Sequence, residues 1–359
     1  MKSKINELNY DGHKIFIGID VHLKSWKVTI MLEDTPFKTF SQDPDAKILK
    51  NYLDSNFPRG DYYSAYEAGF CGFSVHRKLL SEGINNIVVN PADIPTTDKE
   101  KKQKEDQRDS RKIARSLKNN DLKPIYVPSK DMEELRGLVR YRKILVKEIS
   151  RHKTRVKSFL HHNGIDIPKE LDGASQYWSS NFTKWLELIK LSTDYGHIVL
   201  LKTIETISFL RKILLSVSRD LKRIVAQNEK YSKVIKNLIS IPGIGFIVAL
   251  TILTEVENIC RFKSLDHLCS FIGLVPTTNS TSDQDRTGNI TRRSNKPLRG
   301  VLIESAWVAI RSDSSMSLAY SNLCKRMKPT KAIIRITKKL LNRIRFVLIN
   351  NVEYEFKTV

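Results

Sequence analysis

Asp106 and Asp109 stand three residues apart in the basic run Lys104-Glu105-Asp106-Gln107-Arg108-Asp109-Ser110-Arg111-Lys112. Residues three apart on a helix share a face, so both carboxylates can address one metal ion. The basic side chains around them suit a polyanion. Two further acids close apolar, strand-like runs upstream, Asp20 in Ile17-Gly18-Ile19-Asp20 and Glu67 in Ala65-Tyr66-Glu67-Ala68. A fold that unites the four must bring two strand ends and a helix to one place, which points to an α/β domain. One Asp at a strand end is ordinarily a solvated turn residue. The four together, in this order, read as metal-dependent chemistry on nucleic-acid phosphates. Mg²⁺ favours carboxylates plus phosphate as ligands, and two ions about 4 Å apart can stabilise attacking and leaving oxygens together. Glu105 and Asp98 lie close in sequence and read as solvated.

The surrounding pattern supplies the elements. Residues 14–20, 26–32, 37–40, 62–67 and 86–89 read as strands, with helices over 44–56 and 72–82 and a loop over 94–104 before the helix of Asp106. Three strands, a helix, then alternating strand and helix is the order of a mixed-sheet, ribonuclease-H-like domain. Two long basic helices follow, over 133–162 and 197–227, separated by a loop rich in Gly, Pro and Ser. In the second, Ile204, Ile207, Leu210, Leu214, Val217, Leu221 and Ile224 recur at spacings of three and four, a heptad-like stripe. The pair reads equally as a protruding coiled-coil-like arm or as part of a helical bundle. The last region is mainly α. Ile241-Pro242-Gly243-Ile244-Gly245 between apolar helices reads as a helix-hairpin-helix-like turn, and amides at Gly243 and Gly245 can meet a phosphate. A tight structural turn accounts for the same residues. The expected boundaries are 12–125, 129–230 and 236–350.

The net charge of +22, from 61 basic against 39 acidic residues, makes nucleic acid the first candidate partner. Charge alone also fits a membrane surface. Four scattered cysteines without a C-x-x-C pair argue against a disulfide framework or structural zinc. The first residues lack a signal-peptide core, and no stretch is long and apolar enough for a membrane span. The expectation is a cytoplasmic, nucleoid-associated prokaryotic protein.

After Pro276 comes a hydroxyl-rich polar stretch, 277–295, read as a loop, that contains Ser280, Thr281 and Ser282. Arg286, Arg292, Arg293, Lys296 and Arg299 cluster within and after it. Such side chains cradle phosphates, and a hydroxyl held among them could attack a phosphodiester covalently.

Gly18-Ile19-Asp20-Val21-His22, Glu67 after its strand and Lys104-Glu105-Asp106-Gln107-Arg108-Asp109-Ser110 resemble the N-terminal domain of the insertion-sequence one-hundred-and-ten (IS110) family of transposases. Ile241-Pro242-Gly243-Ile244-Gly245, Phe271-Ile272-Gly273-Leu274-Val275-Pro276, and Gly288-Asn289-Ile290-Thr291 followed by Leu298-Arg299 resemble its C-terminal transposase domain. The resemblance implies a RuvC-like domain with a DEDD tetrad holding Mg²⁺, here Asp20, Glu67, Asp106 and Asp109. It also implies a serine nucleophile, a helical arm used in assembly as a homo-oligomer, DNA as substrate and a structured guide (bridge) RNA encoded by the element. The usual nucleophile position falls on Thr281 and the usual glycine on Ser282, so Ser280, Thr281 and Ser282 all stay open, as does an inactive copy. Two other readings compete: a RuvC-type nuclease that uses water, and a nucleic-acid-binding remnant without activity. An actin-like phosphotransferase is disfavoured, because His22-Leu23-Lys24 stands where a Gly-Thr phosphate loop belongs.

Overall fold

The structure is a computed structural model and describes residues 9–33, 35–95, 106–191, 193–281, 284–291 and 293–355. The chain divides into two compact units, Met1–Val127 and Pro128–Val359.

The first unit is a five-stranded mixed sheet. β1 (Lys14–Val21), β2 (Trp26–Leu32) and β3 (Thr35–Gln42) form an antiparallel meander, and β4 (Asp61–Glu67) and β5 (Asn85–Val89) run parallel to β1. The spatial order is β3-β2-β1-β4-β5. Helices α1 (Ala46–Asn56) and α2 (Ser74–Ser81) make the parallel crossovers. Alternation along β1 sends Ile15, Ile17 and Ile19 into one fully buried layer with Leu49, Leu53 and Leu79 of these helices. The even-numbered residues of β1 therefore face the other way, toward helix α3 (Asp106–Lys118). On that side Ala65, Val89, Ile94, Ile113 and Leu122 form a second, smaller core.

Among its described residues the second unit is helical apart from one ribbon. Helices α4 (Lys130–His162) and α6 (Asp194–Gln227) are each roughly 50 Å long at 1.5 Å per residue. Met132, Leu135, Val139 and Leu145 share a core with Val217, Leu221 and Val225, and Ile149, Val156 and Leu160 share another with Leu200, Ile204 and Ile207. The pair is therefore antiparallel. Between them lies α5 (Ser180–Leu188), whose Phe182 is fully buried among Tyr177, Trp178 and Trp185. That helix falls in the segment read from sequence as a loop.

α7 (Glu229–Ile239) and α8 (Phe246–Val256) flank the Pro-Gly-Ile-Gly turn. α9 (Leu265–Ile272), α10 (Lys296–Ser312), α11 (Ser314–Cys324) and α12 (Pro329–Asn350) complete the core. The segment read as a polar loop is instead a two-stranded ribbon, β6 (Pro276–Thr281) and β7 (Gln284–Ile290). Its backbone groups pair across the strands, which polar side chains do not prevent. The basic C-terminal stretch lies on α12, which buries Ile333, Ile336, Leu340, Leu341 and Ile344 while Lys331, Arg335 and Lys339 stay exposed.

A buried ion pair holds α11 to α12. Asp313, 1% exposed, caps α11 by accepting from Met316 N (3.0 Å) and Ser315 Oγ (2.8 Å), and it also accepts from Arg343 Nη1. Burial alone would raise its carboxyl, but the hydrogen bonds from Arg343, Met316 and Ser315 outweigh that and hold it below its ordinary value of 3.8. A lowered folded-state pKa stabilises the fold above the unfolded value and loses that contribution as pH falls through the folded one. Asp313→Ala is therefore expected to cost about 2–3 kcal/mol at neutral pH, because the half-buried Arg343 loses its charged partner and α11 loses its cap. Urea melts of both proteins should converge as pH drops below about 4.

Candidate carboxylate site and hydroxyl ribbon

At the carboxyl end of the sheet, β1 and β4 pair in parallel from Lys14↔Asp61 to Ile19↔Tyr66. One further step of that register brings Asp20 level with Glu67. Both stand on the α3 side, because Asp20 is two residues from Gly18 and Glu67 two from Ala65. Gly18 sets how close the helix comes. A Cβ at that position would lie 2.1 Å from the Ser110 carbonyl oxygen and 2.4 Å from the Ala114 nitrogen. The backbone of α3 thus rests directly on the strand, with Asp109 one residue before the contact.

The rotation of α3 is fixed by a buried hydroxyl pair, Ser110 Oγ to Thr29 Oγ1 at 2.9 Å, which continues to Thr39 Oγ1 at 3.0 Å. Arg111 Nε donates to the same Thr39 oxygen at 3.0 Å. His22 Nε2 stands 3.0 Å from Asp20 Oδ2, and Lys112 Nζ 3.9 Å from Asp109 Oδ1. The Asp20 and Asp109 side chains are 22% and 34% exposed, open enough to reach a ligand. Asp106 is the first residue of α3, and its side chain lies outside the described residues. Among the described residues no three His, Cys, Asp or Glu side chains form a ready metal cluster. Mg²⁺ commonly takes only one or two carboxylates and completes its shell with water and phosphate. Neighbouring hard oxygen donors at one sheet end therefore fit such an ion.

In the second unit the ribbon pairs Thr278↔Thr287, Ser280↔Asp285 and Thr281↔Gln284, which places Ser280 and Thr281 near its tip. The side chains of Ser280, Thr281 and Arg286, and residues Ser282 and Arg292 altogether, lie outside the described residues. The base of the ribbon is closely tied. Thr291 N donates to Val275 O at 3.0 Å, and Thr277 Oγ1 to Asn289 O at 3.1 Å. Arg299 Nη1 donates to Thr291 O (2.8 Å) and Gly273 O (3.3 Å), so this arginine braces the ribbon. Arg293 and Lys296 are exposed beside it.

The two glycines of the Pro-Gly-Ile-Gly turn differ. Gly243 has a φ of 91°, and a Cβ there would meet Ser305 O at 2.6 Å, so the turn packs against α10. Gly245 faces open space and begins α8, whose first turn has no side-chain cap.

Reading the sequence did not single out Glu255. This carboxylate is 3% exposed and takes a two-point contact from Arg140, Nε to Oε1 and Nη2 to Oε2, both 2.8 Å. Asn295 Nδ2 donates to Oε2 at 2.8 Å, and Arg136 Nε stands 3.9 Å away while donating to Thr254 O at 2.7 Å. Burial works to raise the carboxyl, yet the bonds from Arg140 and Asn295 and the charges of Arg140 and Arg136 together hold it below its ordinary 4.5. His22 was part of the quoted motif but was given no role, although two-residue spacing at a strand end places it on the face of Asp20.

Two family models match the chain. A DEDD-type IS110 transposase model covers residues 17–163, and the model described as the IS116/IS110/IS902 transposase family covers residues 235–321. Among curated relatives, a putative transposase of Sinorhizobium fredii, y4qE, is 29% identical over 248 residues, 68% of this chain and 58% of that protein. A second from the same organism, y4rJ, is 26% identical over 93% of this chain and 91% of its own length. The transposase for insertion sequence element IS1533 of Leptospira borgpetersenii is 23% identical over 82% of this chain and 85% of its own. The first model ends just beyond α4 and so includes the carboxylate sheet and α3, while the second includes the turn, the ribbon and α10. The chain belongs to the IS116/IS110/IS902 family of transposases, enzymes that cleave and recombine DNA.

Proposed function

We propose that this protein moves its insertion sequence by DNA strand cleavage and exchange, with Asp20, Glu67, Asp106 and Asp109 holding Mg²⁺ and a hydroxyl of the ribbon as nucleophile. The observation that carries the reading is the register that levels Asp20 with Glu67 under a helix bearing Asp109. The sheet order, with its antiparallel meander and parallel second half, supports a ribonuclease-H/RuvC-like domain over 12–125. A coiled-coil-like arm over 129–230 and a transposase domain over 236–350 complete the proposed organisation.

When bound, the ion supplies charge neutralisation at the phosphate and at the departing oxygen. His22 orients the Asp20 carboxylate, and the Thr29–Ser110 pair keeps Asp109 in place. A hydroxyl of Ser280, Thr281 or Ser282 attacks phosphorus and gives its proton to solvent, while the bond to the departing DNA oxygen breaks and that oxygen takes up a proton to leave as a hydroxyl. One phosphodiester is exchanged for another, so a second DNA end can reverse the step without an energy source. Gly243, Gly245, Arg286, Arg292, Arg293, Lys296 and Arg299 are the proposed nucleic-acid contacts of this region, with Arg299 also bracing the ribbon. A structured RNA from the element is the proposed guide, a homo-oligomer the working assembly, and the cytoplasmic nucleoid its place. Among the described residues no helix is long and apolar enough to cross a membrane.

The test is incubation of purified protein with DNA from the end of its element, with and without flanking RNA, in Mg²⁺ or EDTA. Cleavage at the element end in Mg²⁺ with the flanking RNA, and none in EDTA, is the expected result. Cleavage that survives EDTA, or salt-sensitive binding with no cleavage under any condition, would overturn the reading.

A further inference from the structure

The ribbon is anchored to more than its own neighbours. Asn295, where the chain leaves the ribbon for α10, makes three bonds besides the helical one its carbonyl accepts from Arg299 N. Its N–H donates to Phe271 O at 3.1 Å, its Oδ1 accepts from Leu298 N at 3.1 Å as the cap of α10, and its Nδ2 donates to Glu255 at 2.8 Å. The first ties the start of α10 to α9, and the second is local. The third reaches a carboxylate that α4 also holds, through the two-point contact of Arg140 and the nearby charge of Arg136, each more than 100 residues away in sequence. Lys143 of the same helix donates to Pro297 O at 3.3 Å, a second link from α4 to the start of α10.

We propose that Glu255 is a positioning residue: held by Arg140 and Arg136 of the arm helix, it fixes Asn295 and so sets where the ribbon and its hydroxyls stand. The arm and the ribbon are coupled through one buried carboxylate. A ribbon displaced by an ångström at its base misplaces a nucleophile at its tip, and near-attack geometry tolerates little of that. This inference rests on the ribbon carrying the nucleophile, as proposed above, but its test does not depend on that alone.

Asn295→Asp isolates the bond. Aspartate still caps α10 but cannot donate, and it sets a second carboxylate against Glu255. Two carboxylates that close share a proton, and the groups facing them are Arg136 and Arg140 from α4, with Arg261 donating to the Glu255 backbone carbonyl. Two readouts apply to the full-length protein. Hydrogen exchange over 276–290 should speed up by roughly tenfold while α12 stays protected. Formation of a covalent protein–DNA product should slow by roughly tenfold at pH 8 and recover only as pH falls toward about 5, because Arg136 and Arg140 favour the ionised pair and delay uptake of the shared proton. A purely structural defect would not reverse with pH. If exchange also rises across α12, Asn295→Ser, which keeps the cap without the reach to Glu255, decides the matter by the same exchange measurement. Unchanged exchange of the ribbon in the variant that remains folded overturns the inference. If wild-type protein forms no covalent product, the ribbon's catalytic role fails, and the exchange data still decide whether Glu255 positions it.

Discussion

Asp20→Asn is expected to leave the protein folded and to slow cleavage of element-end DNA by roughly 10²–10³-fold or more. Asparagine keeps the shape and can still accept from His22, which stands 3.0 Å from Asp20 Oδ2. What it loses is the charge that makes a carboxylate a strong ligand for a hard cation. The side chain is 22% exposed and its shape is kept, so its neutralisation should shift stability little. Glu67→Gln should behave alike, because the β1–β4 register sets it beside Asp20 on the same face. Cleavage rates measured with thermal melts separate the two effects. Near-normal cleavage by both variants would remove the sheet end from the mechanism.

Gly18→Ala should be the most damaging small substitution in the first unit. The added carbon would stand 2.1 Å from the Ser110 carbonyl oxygen and 2.4 Å from the Ala114 nitrogen, both backbone atoms of α3 that cannot swing aside. The helix must lift by more than an ångström to admit it. Lifting breaks the Thr29–Ser110 hydroxyl pair, both residues fully buried, and loosens Ile113 and Ala114 from the sheet. Overpacking of this kind, together with a strained buried hydroxyl pair, costs about 2–4 kcal/mol. Because Asp109 rides on the same helix, cleavage should fall by about 10²-fold even in the folded fraction. A protein that melts and cleaves like the wild type would mean that α3 is not seated as described.

The carboxylate end was legible in the sequence because its signals are local. Apolar runs ending in Asp20 and Glu67 announce strands, and the Asp106–Asp109 spacing announces a helix face. Gly18 stood in the quoted motif, yet its role needs the partner helix, 92 residues later, to be seen. The ribbon was misread for a physical reason. Thr277 to Gln284 has no apolar alternation, since this ribbon is held by its own ladder and by ties at its base from Arg299 and Asn295. Glu255 was illegible for the opposite reason. It lies in the apolar helix Phe246–Val256, and what makes it special comes from Arg140, 115 positions away, and Asn295, 40 away. A lone acid in an apolar helix is itself a signal, since burying a carboxylate without partners is costly. The sequence pattern alone does not say which partners it has.

The most direct test of the account is covalent trapping. Wild-type protein, Mg²⁺, element-end DNA and flanking RNA would be quenched in SDS beside Ser280→Ala, Thr281→Ala and Ser282→Ala. The account expects an SDS-resistant protein–DNA adduct that disappears in one of the three variants, which names the nucleophile. Cleaved DNA with free ends and no adduct in the wild type would contradict it and assign the cut to water.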